Sequence, residues 1–226
     1  MRTSMINNPD CIEMYSSSYV YEIFSEEEIP TLFELMSMVH KFYSNIGDQD
    51  RTKPQAIRAA GGFLQVAPPS TPPEIILSLV ETLEAAMKAR NAKLVWNGAK
   101  SCEYFFINDQ TVWLDLDWTN RLFRALSYGM KNNKNNKVKI NCLSALSRKR
   151  IQAELLNRPE HLVQVFHDCV DVAAEVPHLD TKFQEIDYHA KLRDMCCQSI
   201  IALSKKDNRM IFQIIGISST LYYTDI

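Results

Sequence analysis

Apolar positions recur along this chain with a period near 3.6 rather than 2. Val138, Cys142, Ala145 and Leu146 stand at i, i+4, i+7 and i+8, which is one stripe of a helix. Leu94, Gly98, Ser101, Cys102 and Phe105 trace a similar stripe, as do Leu192, Met195, Cys196, Ser199, Ile200 and Leu203. A second amphipathic segment precedes each of these. Leu32, Leu35, Met36, Val39 and Tyr43 form the first, and Ile76, Leu79, Val80, Leu83 and Met87 the second. Leu122, Phe123, Leu126 and Met130 form the third, and Leu162, Phe166, Cys169 and Ala173 the fourth.

Helix breakers fall between these segments. The run from Pro68 to Glu74 ends one helix and starts the next, with Thr71 and Glu74 spaced as a capping box. Asp117 is placed to cap the helix carrying Trp118 to Met130. The polar stretch from Lys131 to Asn136 is a turn, Pro159 opens a seventh helix, and Val176-Pro177 closes it. The pattern predicts about eight helices in four pairs.

The pairs repeat. Gapless superposition of segments starting at Arg51, Lys93, Lys137 and Lys191 gives a column of small residues only: Ala56, Gly98, Cys142 and Cys196. Three positions on, Ala59, Ser101, Ala145 and Ser199 form another. Members of the first column are separated by 42, 44 and 54 residues. A period near 40 is typical of two-helix solenoid repeats, in which small residues let neighbouring helices come close. The expected fold is all-α, a right-handed α-solenoid of helix pairs over residues 21–207. A weakly patterned polar segment, 1–20, precedes it, and a β-branched and aromatic tail, 208–226, does not continue the repeat.

The segments from Lys53 to Leu64, Ala92 to Ala99 and Asn136 to Ser147 resemble, in order and spacing, the HEAT repeats of the HEAT repeat-containing protein 6 family. The resemblance spans roughly residues 50 to 205. It implies an armadillo-type solenoid without catalytic residues, used as an interaction scaffold. Members of that family are much longer, so this sequence reads as a short form or a piece of one. Pro54 fits such a helix only in its first turn.

Composition narrows the function classes. The 226 residues carry 25 Lys+Arg against 27 Asp+Glu, a net charge of −2, which argues against a globally basic nucleic-acid binder. Six glycines are too few for the usual Gly-rich phosphate loops. The chain opens without an apolar signal segment, and no apolar run reaches the length of a membrane span, so a cytoplasmic or nuclear location is expected. The six cysteines then read as buried small hydrophobes rather than disulfide partners.

The sharpest chemical feature is a column of cations. Arg51, Lys93, Lys137 and Lys191 precede the four stripes, and two positions later stand Lys53, Val95, Lys139 and Arg193; a start of the last helix near Lys182 would instead place Lys191 mid-helix and weaken the column. Cations near helix N-termini oppose the macrodipole, so they need compensation. One reading is a ladder paired with carboxylates of adjacent repeats. The other is a basic groove that receives an acidic partner segment. Its residues would be Lys93, Lys137, Lys139, Arg148, Lys149, Arg150, Lys191 and Arg193, with Trp96 as an aromatic anchor.

Residues 131–150 hold seven cations and no acid, which offers nucleic acid as the alternative partner. Against it stand the absence of interleaved aromatics and the negative net charge. The five histidines show no metal spacing, and no nucleophile–base–acid set emerges. The leading expectation is a non-enzymatic, cofactor-free scaffold for a protein partner, with self-association through uncapped end repeats.

Overall fold

The computed structural model describes residues 29–68, 70–107, 117–148, 159–175 and 183–204, and every regular element among them is a helix. There are eight: α1 (Ile29–Asn45), α2 (Lys53–Val66), α3 (Pro73–Met87), α4 (Ala92–Ile107), α5 (Asp117–Asn132), α6 (Asn136–Leu146), α7 (Pro159–Ala174) and α8 (Phe183–Ser204). They fall into two compact units, Met1–Ile151 and Gln152–Ile226. The first holds α1–α6 and the second α7 and α8. The expected segments 1–20 and 208–226 lie outside the described residues.

In the first unit each odd-numbered helix packs on the even-numbered helix that follows it. The odd helices also touch in order, α1 on α3 and α3 on α5, and so do the even ones, α2 on α4 and α4 on α6. The predicted stripes fill the interior. Leu32 and Met36, Ile76, Leu79, Val80 and Leu83, Leu94 and Cys102, Leu122, Leu126 and Met130, and Val138 and Cys142 are all buried. In the second unit α7 packs on α8 through Val165, Phe166, Cys169 and Val172 against Leu192, Cys196 and Leu203.

Long-range polar contacts in the first unit are spaced at the repeat period. His40 Nδ1 lies 3.0 Å from Thr82 Oγ1, 42 residues away. Asn91 Nδ2 donates to the Asp48 carbonyl, 43 residues away, at 3.1 Å. Arg121 Nε donates to Glu84 Oε2, 37 residues away, at 3.0 Å. A side chain therefore meets the counterpart region of the next pair.

Small residues set how closely the even helices approach. A β-carbon placed on Gly61 of α2 would lie 2.6 Å from Ser101 Cβ and 2.8 Å from Ser101 Cα on α4. A β-carbon on Gly129 would lie 2.9 Å from Cys142 Sγ. The Ser101 backbone cannot swing aside, so Gly61 holds α2 against α4.

The helix starts differ in part from expectation. Pro54 does sit in the first turn of α2. The capping box at Thr71 and Glu74 does not form: Pro72 is the residue before α3, and no side chain caps that helix. Thr71 Oγ1 instead donates to the Pro68 carbonyl at 2.7 Å, which closes the preceding turn. Helices α4 and α6 are capped by a device the repeat columns did not show. Asn91 Oδ1 accepts from Lys93 N, and Asn135 Oδ1 from Lys137 N, both at 2.9 Å. Asp50 Oδ1 accepts from Thr52 N at 2.8 Å ahead of α2.

Two outcomes test this packing. Gly61→Ala should destabilise the first unit by about 1–3 kcal/mol through overpacking. Gly47→Ala, where nothing lies within 4 Å of the added carbon, should shift the urea midpoint far less. The second test concerns Glu84. Burial pushes its carboxyl up, but hydrogen bonds and charge from Lys88 and Arg121 outweigh it and hold the pKa below the ordinary value. A lowered folded pKa gives stability that is full above the unfolded value and lost as pH falls through the folded one. The stability difference between wild type and Glu84→Gln should therefore shrink on acidification below about pH 4.5, read by urea unfolding.

Candidate protein-interaction face

The first turns of α2, α4 and α6 hold Lys53, Lys93 and Lys137. On α4 the accessible or half-buried positions are Lys93, Trp96, Lys100, Tyr104 and Ile107, spaced three or four apart along one stripe. On α6 they are Lys137, Ile140, Asn141, Ser144, Ser147 and Arg148 just past its end.

A buried carboxylate ties the two stripes together. Glu103 on α4 is 1% exposed. Lys100 Nζ, one turn before it, lies 2.7 Å from Glu103 Oε2. Ser144 Oγ donates to Glu103 Oε1 at 3.3 Å, and the Arg148 guanidinium binds the same oxygen. Both cations reach the carboxylate from the accessible side, with side chains 41% and 45% exposed. The stripes of α4 and α6 thus open onto one face.

Helix α2 extends it. Asn91 meets Asp48 at the leading ends of α4 and α2, and Gly61 meets Ser101 further along, so these helices run parallel. A turn of about 100° per residue from the Gly61–Ser101 contact carries Gln55 and Arg58 to the side that Lys93 and Lys100 occupy. The face carries cations: Arg58, Lys93, Lys100, Lys137 and Arg148 lie along it, and Lys100 and Arg148 pair with the buried Glu103. Lys100 Nζ sits 5.6 Å from the Tyr104 ring centre, a cation–π contact in the middle of the strip.

The sequence-nominated residues distribute unevenly. Lys93, Trp96, Lys137 and Arg148 fall on this face, Trp96 half-buried. Lys139 is buried with 5% exposure, two residues from Lys137 and so nearly opposite it on the helix. Its column shares that fate in three copies, since Lys53 and Val95 are buried too. Lys53 Nζ donates to the Ile46 carbonyl and to Asp48 Oδ1, both at 2.8 Å, and sits 4.4 Å from the Tyr43 ring centre. That ammonium serves the α1–α2 turn. Lys149 and Arg150 lie outside the described residues. Lys191 and Arg193 are exposed in the second unit, in the middle of α8 rather than at its start, because α8 begins at Phe183.

Glu103, Lys100 and Ser144 were not singled out by spacing along the sequence. The signal that would have found them is the 44-residue step, which sets Ser144 in the column of Lys100. The same step relates Asn97 and Asn141, each donating its side-chain amide to the carbonyl four residues back at 2.7 Å.

Among the described residues no group of three His, Cys, Asp or Glu could hold a metal ion, and no helix is long and apolar enough to cross a membrane. Burial pushes the Cys102 and Cys142 thiols well above their usual range and keeps them protonated. The Cys169 thiol is raised likewise, by its hydrogen bond with Cys196 and by burial. No protein-family model matches the chain, and no solved structure matches it.

Glu103→Gln should destabilise the first unit by about 1–2 kcal/mol, because two charge-assisted hydrogen bonds weaken while Lys100 and Arg148 stay partly hydrated. Thermal or urea unfolding of the variant beside wild type measures it.

Proposed function

We propose that this chain is a non-enzymatic helical-repeat scaffold that holds an acidic segment of a protein partner on the face lined by α2, α4 and α6. The reading includes a right-handed solenoid of HEAT/armadillo type and kinship with the HEAT repeat-containing protein 6 family. Its architecture is supported by polar contacts recurring between residues 37 to 45 apart in the first unit. The single observation that carries the function is charge on that face: Arg58, Lys93, Lys100, Lys137 and Arg148 lie along it beside Trp96 and Tyr104, with Lys100 and Arg148 also pairing with the buried Glu103.

Cations spaced along parallel helices favour an extended anionic chain, and the aromatics give it apolar anchorage. Nucleic acid, the alternative taken from the basic 131–150 segment, is less well served. Lys139 is buried, and the aromatics lie on α4 rather than within that segment.

Binding of a fluorescent Glu-rich peptide and of a single-stranded oligonucleotide of equal charge separates the two. The peptide should bind, and Lys93→Glu with Lys137→Glu should weaken it at least about tenfold. Unchanged peptide binding in that variant sinks the basic face. Tighter oligonucleotide binding with a steep salt dependence turns the function to nucleic acid.

A further inference from the structure

Helix α1 carries two apolar stripes. One, Leu32, Met36 and Tyr43, is buried against its neighbours. The other is Leu35, Met38 and Phe42, spaced by three and four residues. Met38 is 44% exposed and Phe42 46%, while Leu35 and the adjacent Val39 are half-buried. Large apolar side chains aligned on one open helix face mark an interaction surface.

The stripe reads alike in both directions. About a point midway between Met38 and Val39, Leu35 falls opposite Phe42 and Met38 opposite Val39, apolar against apolar. An isologous contact needs this property, since a two-fold axis sets the same patch on both partners. Charge then chooses the direction. Glu34 and Lys41, both exposed, lie two turns apart along one flank of the stripe. Two parallel copies would carry this flank of each helix to opposite sides of the seam, so Glu34 and Lys41 of one would find no counterpart on the other. Antiparallel copies set Glu34 of each beside Lys41 of the other, displaced along the axis by only about 3 Å, within reach of both side chains.

We propose that α1 is a self-association helix: two copies of this chain pair antiparallel through Leu35, Met38 and Phe42, clasped by two reciprocal Glu34–Lys41 ion pairs. This contact is independent of the basic face, because it uses none of its residues. It also fixes the stoichiometry at two, since each α1 stripe is consumed by one partner.

Analytical ultracentrifugation of the full chain across a dilution series tests it, with circular dichroism to show that each variant stays helical. Wild type should be a dimer that dissociates on dilution. Lys41→Glu should raise the dissociation constant at least about tenfold, and adding Glu34→Lys should restore it to within about threefold of wild type. A monomer at every concentration overturns the proposal and leaves the stripe to another occupant. A dimer indifferent to Lys41→Glu, or one that the double exchange fails to rescue, overturns the antiparallel α1 contact. Both side chains are exposed, so the exchange tests pairing rather than folding.

Discussion

The first unit depends on how near one backbone can come to the next. At Gly61 the α2 chain presses on Ser101 of α4 so closely that a methyl group would strike an α-carbon. Within the third pair, Gly129 of α5 lies close to the Cys142 side chain of α6. The Gly61 contact replaces side-chain interdigitation with direct backbone proximity, and both glycines press on a member of a small-residue column, Ser101 or Cys142. Close approach also lets short polar groups reach across. Ser144 can touch Glu103, and Thr82 can touch His40, because the helices carrying them are not held apart by bulk.

Polar chemistry in this unit divides between two tasks. At the helix starts, Asp50, Asn91 and Asn135 satisfy backbone nitrogens with side-chain oxygens. That lets cations occupy first turns that the helix dipole would otherwise disfavour. Between pairs, carboxylates act as joints: Glu84 ties α3 to α5, and Glu103 ties α4 to the end of α6. Each of these two carboxylates is held by two cations, Glu84 by Lys88 and Arg121 and Glu103 by Lys100 and Arg148.

Much of this was legible from spacing. The stripes named the helices, the breakers named their ends, and the small-residue columns anticipated the tight seams at Ser101 and Cys142. Where the reading went astray, the cause is identifiable. Thr71 fails as a cap because Pro72 occupies the position before α3 and the threonine turns back to Pro68. Lys139 looked like a neighbour of Lys137, yet two residues on a helix are some 200° apart. Val95 in the same column had signalled an inward direction. For the copy at Lys191 the alternative start near Lys182 is the one that holds: α8 begins at Phe183 and Lys191 lies mid-helix. The Glu103 joint was hidden because its partners are local in space and distant in sequence.

Asn97 is followed by Gly98, the dipeptide in which a side-chain amide most readily closes onto the next backbone nitrogen to form a succinimide. Here the pair lies within α4, and the Asn97 amide is held to the Lys93 carbonyl at 2.7 Å. The ring cannot close while that turn is intact, so the folded chain shelters a fragile bond. Conversion of Asn97 to aspartate would then act as a chemical clock, marking molecules that had come apart and hampering their return by burying a new negative charge.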